Sequence, residues 1–100
     1  MNSAMLLARR FGVRVEIADL GDWGDAELRS EYDPSGPTIR VNKRLLETMN
    51  STQARAFVAL AVGHELYHHR EAIGEIAKLH SHAQRELAAD SYAHEMLMAL

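Results

Sequence analysis

His64, Glu65 and His68 stand as H-E-x-x-H directly after the apolar run AFVALAVG, residues 56–63. On a helix, positions i and i+4 lie on the same side about one turn apart, so both histidines can reach one ion. No proline interrupts the chain from Ser51 to Arg70. A long helix over about 51–70 follows, with Ser51 or Thr52 expected as its N-cap. Phe57, Leu60, Ala61, His64 and His68 fall on one broad face of it. The polar motif therefore continues an apolar surface, where unpaired polar side chains are costly. That favours a metal site over a row of solvated histidines.

The rest of the chain has a different texture. Residues 3–11 read as a short helix with a partial apolar face from Met5, Leu6 and Ala8, ended by Gly12. Val13, Val15 and Ile17 alternate with Arg14 and Glu16, the period-2 pattern of a half-buried strand. DLGDWGD (19–25) is a turn region, and Trp23 within it is expected in a small satellite core. Residues 26–32 form a second expected strand, with Leu28 and Tyr32 inward, and DPSGP (33–37) turns the chain into a third strand, Thr38–Val41. The expectation is a three-stranded meander whose last two strands form a hairpin. Asn42 is placed to cap a helical turn containing Leu45 and Leu46. Residues 71–82 read as a partly helical connector broken near Gly74, and a last helix starts near His82. The fold class is α+β: one domain over residues 1–100, with a small sheet packed against the H-E-x-x-H helix and a C-terminal helix.

Composition narrows the chemistry. The chain has no cysteine, so disulfides and thiolate metal sites are excluded and any metal must be held by imidazole and carboxylate. The net charge of −3 argues against nucleic-acid binding, which needs concentrated positive charge. No apolar run reaches the roughly 18 residues of a membrane span. The N-terminal MNSAMLLARRF has its arginines after the apolar stretch, the wrong order for a signal peptide, so a cytoplasmic location is expected.

Zinc suits this ligand set. A catalytic zinc site has three protein ligands and a water whose pKa falls to about 7. Glu65 is turned about 100° from His64, poorly placed as third ligand but well placed to take a proton from that water and later deliver it to a leaving amine. The extended motif with Gly and His at 71 and 74 is absent, because the chain has Glu71 and Gly74. The third ligand must come from elsewhere. Glu86, Asp90, Ala93 and Leu97 share one face of the last helix. Glu86 as metal ligand and Asp90 as acceptor for the second N–H of a ligand histidine would explain a carboxylate pair in that company; a solvated acid pair is the alternative. His80 or His82 could replace Glu86 as third ligand, and both are otherwise surface histidines. His69, rotated about 100° from His68, is expected in solvent. His94 or Tyr92 could donate to an oxyanion, with Tyr92 otherwise in packing and His94 at the surface. Met96, Leu97 and Met98 read as core or interface residues.

H-E-x-x-H followed by E-x-x-A-D (Glu86, Ala89, Asp90) resembles the gluzincin-type zinc peptidases. TIRVN, LAVGHELYHH and ELAADSYAHEMLM resemble the ImmA/IrrE metallopeptidase family in particular. The resemblance implies a minimal zincin-like core, His64, His68 and Glu86 as Zn2+ ligands, Glu65 as catalytic base, and a protein or peptide substrate such as a repressor. Two positions depart from the pattern. Tyr67 stands where that family usually has Gly, and Asp90 where it often has Asn, the latter leaning toward prenyl-endopeptidase-like peptidases. The expectation is therefore a zinc metalloendopeptidase whose strand Thr38–Val41, taken as a sheet edge, would pair with an extended substrate. A non-enzymatic, zinc-stabilised interaction domain keeping the same fold is the rival reading.

Overall fold

A computed structural model describes residues 3–21 and 28–98. Trp23 lies outside the described residues. Helix α1 (Ser3–Arg10) buries Ala4 and Ala8, one turn apart, against the interior. Leu6 faces out, so the buried stripe is one of small residues flanked by Met5, Leu7 and Phe11 rather than the expected Met5–Leu6–Ala8 face. Gly12, at φ 70°, ends the helix: its N–H bonds the Arg9 carbonyl and Val13 N–H bonds that of Ala8.

Strands β1 (Arg14–Ala18), β2 (Ser30–Asp33) and β3 (Thr38–Asn42) form a sheet in the order β1-β3-β2. β2 and β3 are the expected hairpin. Asp33 Oδ1 accepts from Ser35 N–H in its turn (2.9 Å), and Gly36 takes φ 62°. The meander is not formed. β1 pairs in parallel with β3, Val15 opposite Ile39 and Ile17 opposite Val41. β3 is therefore the central strand, not an edge, which corrects its expected role as substrate-pairing strand. Its burial explains this: Thr38, Ile39, Val41 and Asn42 are all buried, as in a strand flanked on both sides.

Asn42 ties the sheet's end together. Its side chain accepts from Leu20 N–H and Arg44 N–H (both 3.2 Å) and donates to the carbonyls of Leu28 (2.9 Å) and Gly21 (3.2 Å). It caps the short helix α2 (Lys43–Leu46), as expected.

Helix α3 (Ser51–Ala72) is capped by Asn50, not by Ser51 or Thr52. Asn50 Oδ1 accepts from Gln53 N–H (2.8 Å) while Gln53 Oε1 accepts from Asn50 N–H (3.1 Å). This reciprocal pair satisfies two backbone donors, which a lone hydroxyl cannot do. α3 touches α1, β2 and β3 on one side and helix α4 (His82–Met98) on the other. It is thus buried around much of its circumference: Val62 and Leu66 meet the core that includes Ile39 and Val41. Gly74, at φ 83°, is the expected break after α3: of the connector 71–82, residues 71–72 complete α3, 73–81 are turns and irregular chain, and His82 starts α4. No helix of the described residues is long and apolar enough to cross a membrane.

Candidate metal centre

α3 and α4 run antiparallel and approach closely at one point. A β-carbon added to Gly63 would lie 3.0 Å from both Cα and Cβ of Ala93. Glycine here is a packing requirement, since any side chain would push the helices apart. Ala89 and Ala93 are buried in the same seam. The close crossing brings Asp90 and Glu86, one and two turns before Ala93, beside His64 and His68.

The side chains then converge. Glu86 Oε2 lies 2.7 Å from His64 Nε2, and Glu86 Oε1 lies 3.3 Å from His68 Nε2. The two Nε2 atoms are 3.3 Å apart. His64, Glu65 and His68 together offer ligand atoms all within 4.8 Å of one another. Each histidine also has its Nδ1 on a carboxylate: His64 on Asp90 Oδ1 (2.7 Å) and His68 on Glu71 Oε1 (2.8 Å). A carboxylate beyond Nδ1 places the proton on that nitrogen and turns the Nε2 lone pair inward. Two lone pairs and a carboxylate then face one another, an arrangement that repels unless a cation or a proton lies among them. Two of the three separations, His64 Nε2–His68 Nε2 and His68 Nε2–Glu86 Oε1, have the spacing of ligands on one cation, while the 2.7 Å between His64 Nε2 and Glu86 Oε2 is that of a shared proton. Ligands about 2.0–2.1 Å from a tetrahedral ion sit roughly 3.3 Å apart. Imidazole and carboxylate donors gathered this closely are chemically suited to a divalent ion, with Glu86 beside the group that His64, Glu65 and His68 form.

Glu65 is buried and holds a different partner, the Ser30 hydroxyl, which donates to Oε2 (2.7 Å). Burial raises the Glu65 pKa, while the Ser30 hydrogen bond and the neighbouring His64 and His68 oppose the rise. Oε1 remains for a second hydrogen bond. Glu71 is the opposite case. The Arg85 fork, with Nε 3.1 Å from Oε2 and Nη2 2.9 Å from Oε1, lowers its pKa to about 2 despite complete burial of the side chain.

No family model, curated protein or solved structure matches the chain.

These groups line a cleft of about 660 Å3, with Leu28, Arg29 and Ser30 on one side and α4 on the other. Phe57, Leu60 and Ala61 continue the α3 wall, as their shared face implies. Other expectations divide. His94 lines the cleft, with Nδ1 donating to the Asp90 carbonyl (2.8 Å). Tyr92 is turned away from it: its hydroxyl accepts from Arg70 (3.2 Å), and its ring packs against Tyr67. Tyr67 thus lies buried in the α3–α4 seam and does not enter the cleft. His82 is strongly exposed, with Nε2 3.9 Å from Glu86 Oε1, and His80 is exposed. His69 is not in solvent. It is buried, its Nδ1 is 2.7 Å from the Tyr32 hydroxyl, and its ring meets Phe11 and Tyr32 edge-on. The 100° that removes it from the cleft turns it toward the sheet and α1.

Three residues at the site were not anticipated: Ser30, Glu71 and Arg85. Glu71 left a readable trace, because i+3 from His68 is hydrogen-bonding distance on a helix. Ser30 and Arg85 left none; each reaches its partner from another element.

Proposed function

We propose that the protein is a zinc-dependent metalloendopeptidase of the ImmA/IrrE-like, zincin type, acting in the cytoplasm on a peptide segment of a regulatory or repressor protein. The observation that carries this reading is the convergence of His64 Nε2, His68 Nε2 and the Glu86 carboxylate within 2.7–3.3 Å of one another, beside the buried carboxylate of Glu65. His64, His68 and Glu86 would hold the ion, and Asp90 and Glu71 would fix the two imidazoles. Bound zinc supplies a Lewis acid that polarises the scissile carbonyl and acidifies water.

Glu65 performs the proton work. Ser30 holds Oε2, so Oε1 accepts a proton from the attacking water as its oxygen forms the new bond to the carbonyl carbon. Glu65 then gives that proton to the departing nitrogen as the C–N bond breaks, leaving an acid and an amine and restoring the carboxylate. Its raised pKa suits both halves of this exchange. An extended peptide would enter along Leu28–Ser30, which borders the cleft at the start of β2. Among the described residues β2 lies at the edge of the sheet order β1-β3-β2, on the side of the cleft.

The test is digestion of a peptide library by the zinc-loaded protein, with new termini read by mass spectrometry, beside Glu65→Gln. Cleavage by the wild type and its loss in a zinc-containing Glu65→Gln protein are expected. No cleavage by zinc-loaded wild type, or undiminished cleavage by the variant, overturns the reading. The position of His82 gives the non-enzymatic alternative a concrete form. A fourth bond from His82 would close the site and make the metal structural. The number of nitrogen ligands around the bound metal, read by X-ray absorption, separates two imidazoles from three.

A further inference from the structure

The two ligand histidines are held by unlike carboxylates. Asp90, on His64, has a side chain 59% exposed, so water competes for its oxygens. Glu71, on His68, has a side chain 0% exposed, and the same Oε1 that meets His68 Nδ1 also meets Arg85 Nη2. Arg85 is the residue immediately before Glu86 in α4. From this chain of contacts we infer that Glu71 and Arg85 form a positioning clamp, in which α4 sets the orientation of His68 through Arg85 and Glu71 as well as supplying Glu86. The inference rests on the metal-site reading above and extends it to two residues that touch no metal.

A buried carboxylate is a stronger orienting partner than an exposed one, because little solvent screens it. A buried carboxylate without a counter-charge would be costly, and the two-point Arg85 grip provides that charge while fixing the plane of Glu71. Glu71 and His68 lie on α3 whereas Arg85 and Glu86 are neighbours on α4. Displacing the start of α4 would therefore disturb a ligand on each helix. An inter-helix staple alone would not need Oε1 shared with His68.

The prediction concerns metal affinity in the full chain. Zinc dissociation constants are measured by competition with a chromophoric chelator for the wild type, Glu71→Gln, Arg85→Gln and the double variant. Visible absorption of the Co2+ forms reports ligand geometry. Glu71→Gln is expected to weaken zinc binding about 10–100-fold, the usual effect of losing a partner to a ligand histidine, and to alter the Co2+ bands. Arg85→Gln should weaken it too, although Arg85 contacts no ligand histidine. In the Glu71→Gln background Arg85→Gln should add little, because it acts through Glu71. Arg85 is partly exposed, so its variant keeps the test open if Glu71→Gln does not fold. A folded Glu71→Gln protein that binds zinc within twofold of the wild type overturns the clamp. So does an Arg85→Gln effect that is undiminished when Glu71 is already gone. Wild type that binds no metal overturns the metal reading and the clamp together; tight wild-type binding with unaffected variants overturns the clamp alone.

Discussion

His68 and His69 are adjacent in the chain and chemically identical, yet α3 sends them to opposite environments. His68 joins His64 and Glu86 in the cleft, its Nδ1 on a buried carboxylate. His69 lies between α3, the sheet and α1, bonded to a tyrosine and packed on aromatic edges. The first side of the helix concentrates like-signed groups that repel unless an ion joins them. The second is satisfied internally. Substitutions on the cleft side should therefore change chemistry with little loss of stability, and those on the sheet side should do the reverse.

The largest expected effect is Glu65→Gln. It keeps an acceptor for the Ser30 hydroxyl and nearly the same shape, so the apo melting temperature should hold or rise as a buried charge is removed. Peptide hydrolysis should fall by about 10²–10⁴-fold with zinc retained. A large drop in stability would break the contrast between the two sides. Glu86→Ala comes next. It removes a proposed ligand outright, and metal content measured by plasma mass spectrometry should fall well below one ion per chain. A ratio still at one would move the third ligand to another residue.

Gly63→Ala probes the seam between the sides. The new methyl would meet Ala93 backbone and side chain at 3.0 Å, so α4 must move or the helix must strain. A stability loss of about 1–3 kcal/mol is expected by denaturant titration, with weaker zinc binding because Glu86 moves with α4. Unchanged affinity would mean that the metal groups tolerate helix displacement.

Much of the cleft side was legible because helical spacing is local. His64, Glu65 and His68 follow from i and i+4, and Glu86 with Asp90 from the same rule on a second helix. What was lost is what depends on which elements meet. Ser30 reaches Glu65 only because β2 borders α3, and Arg85 reaches Glu71 only because the helices pack antiparallel. The central position of β3 was likewise hidden. TIRVN alternates like a half-buried strand, but the arginine at its middle lies among Glu16, Glu31 and Asp33 on the outer face, while Thr38 and Asn42 are buried at its ends. The burial of His69 is hidden for a related reason: helical spacing turns it about 100° from His68 but does not tell that the sheet lies on that side.

The smallest predicted effect tests the sheet side by pH. Burial lowers the pKa of His69, with Glu75 opposing weakly. Of the polar groups around it, Tyr32 from β2 is hydrogen-bonded to Nδ1 and its own pKa is raised by burial, so it stays neutral throughout the range concerned. The unfolded chain then binds a proton more readily than the fold does near the ordinary histidine value of 6.5. The stability contributed by neutral His69 is complete above that value and is lost as pH falls through it toward the lower folded pKa. His69→Phe removes the titration but leaves the Tyr32 hydroxyl without its partner, costing about 1–3 kcal/mol at pH 7.5. With chelator present, so that both proteins are metal-free, the wild-type advantage over the variant should shrink between pH 7.5 and pH 5. An advantage that stays constant or grows would mean that His69 is at least as easily protonated in the fold as in the open chain. The opposition between its environment and that of His68 would then rest on geometry alone.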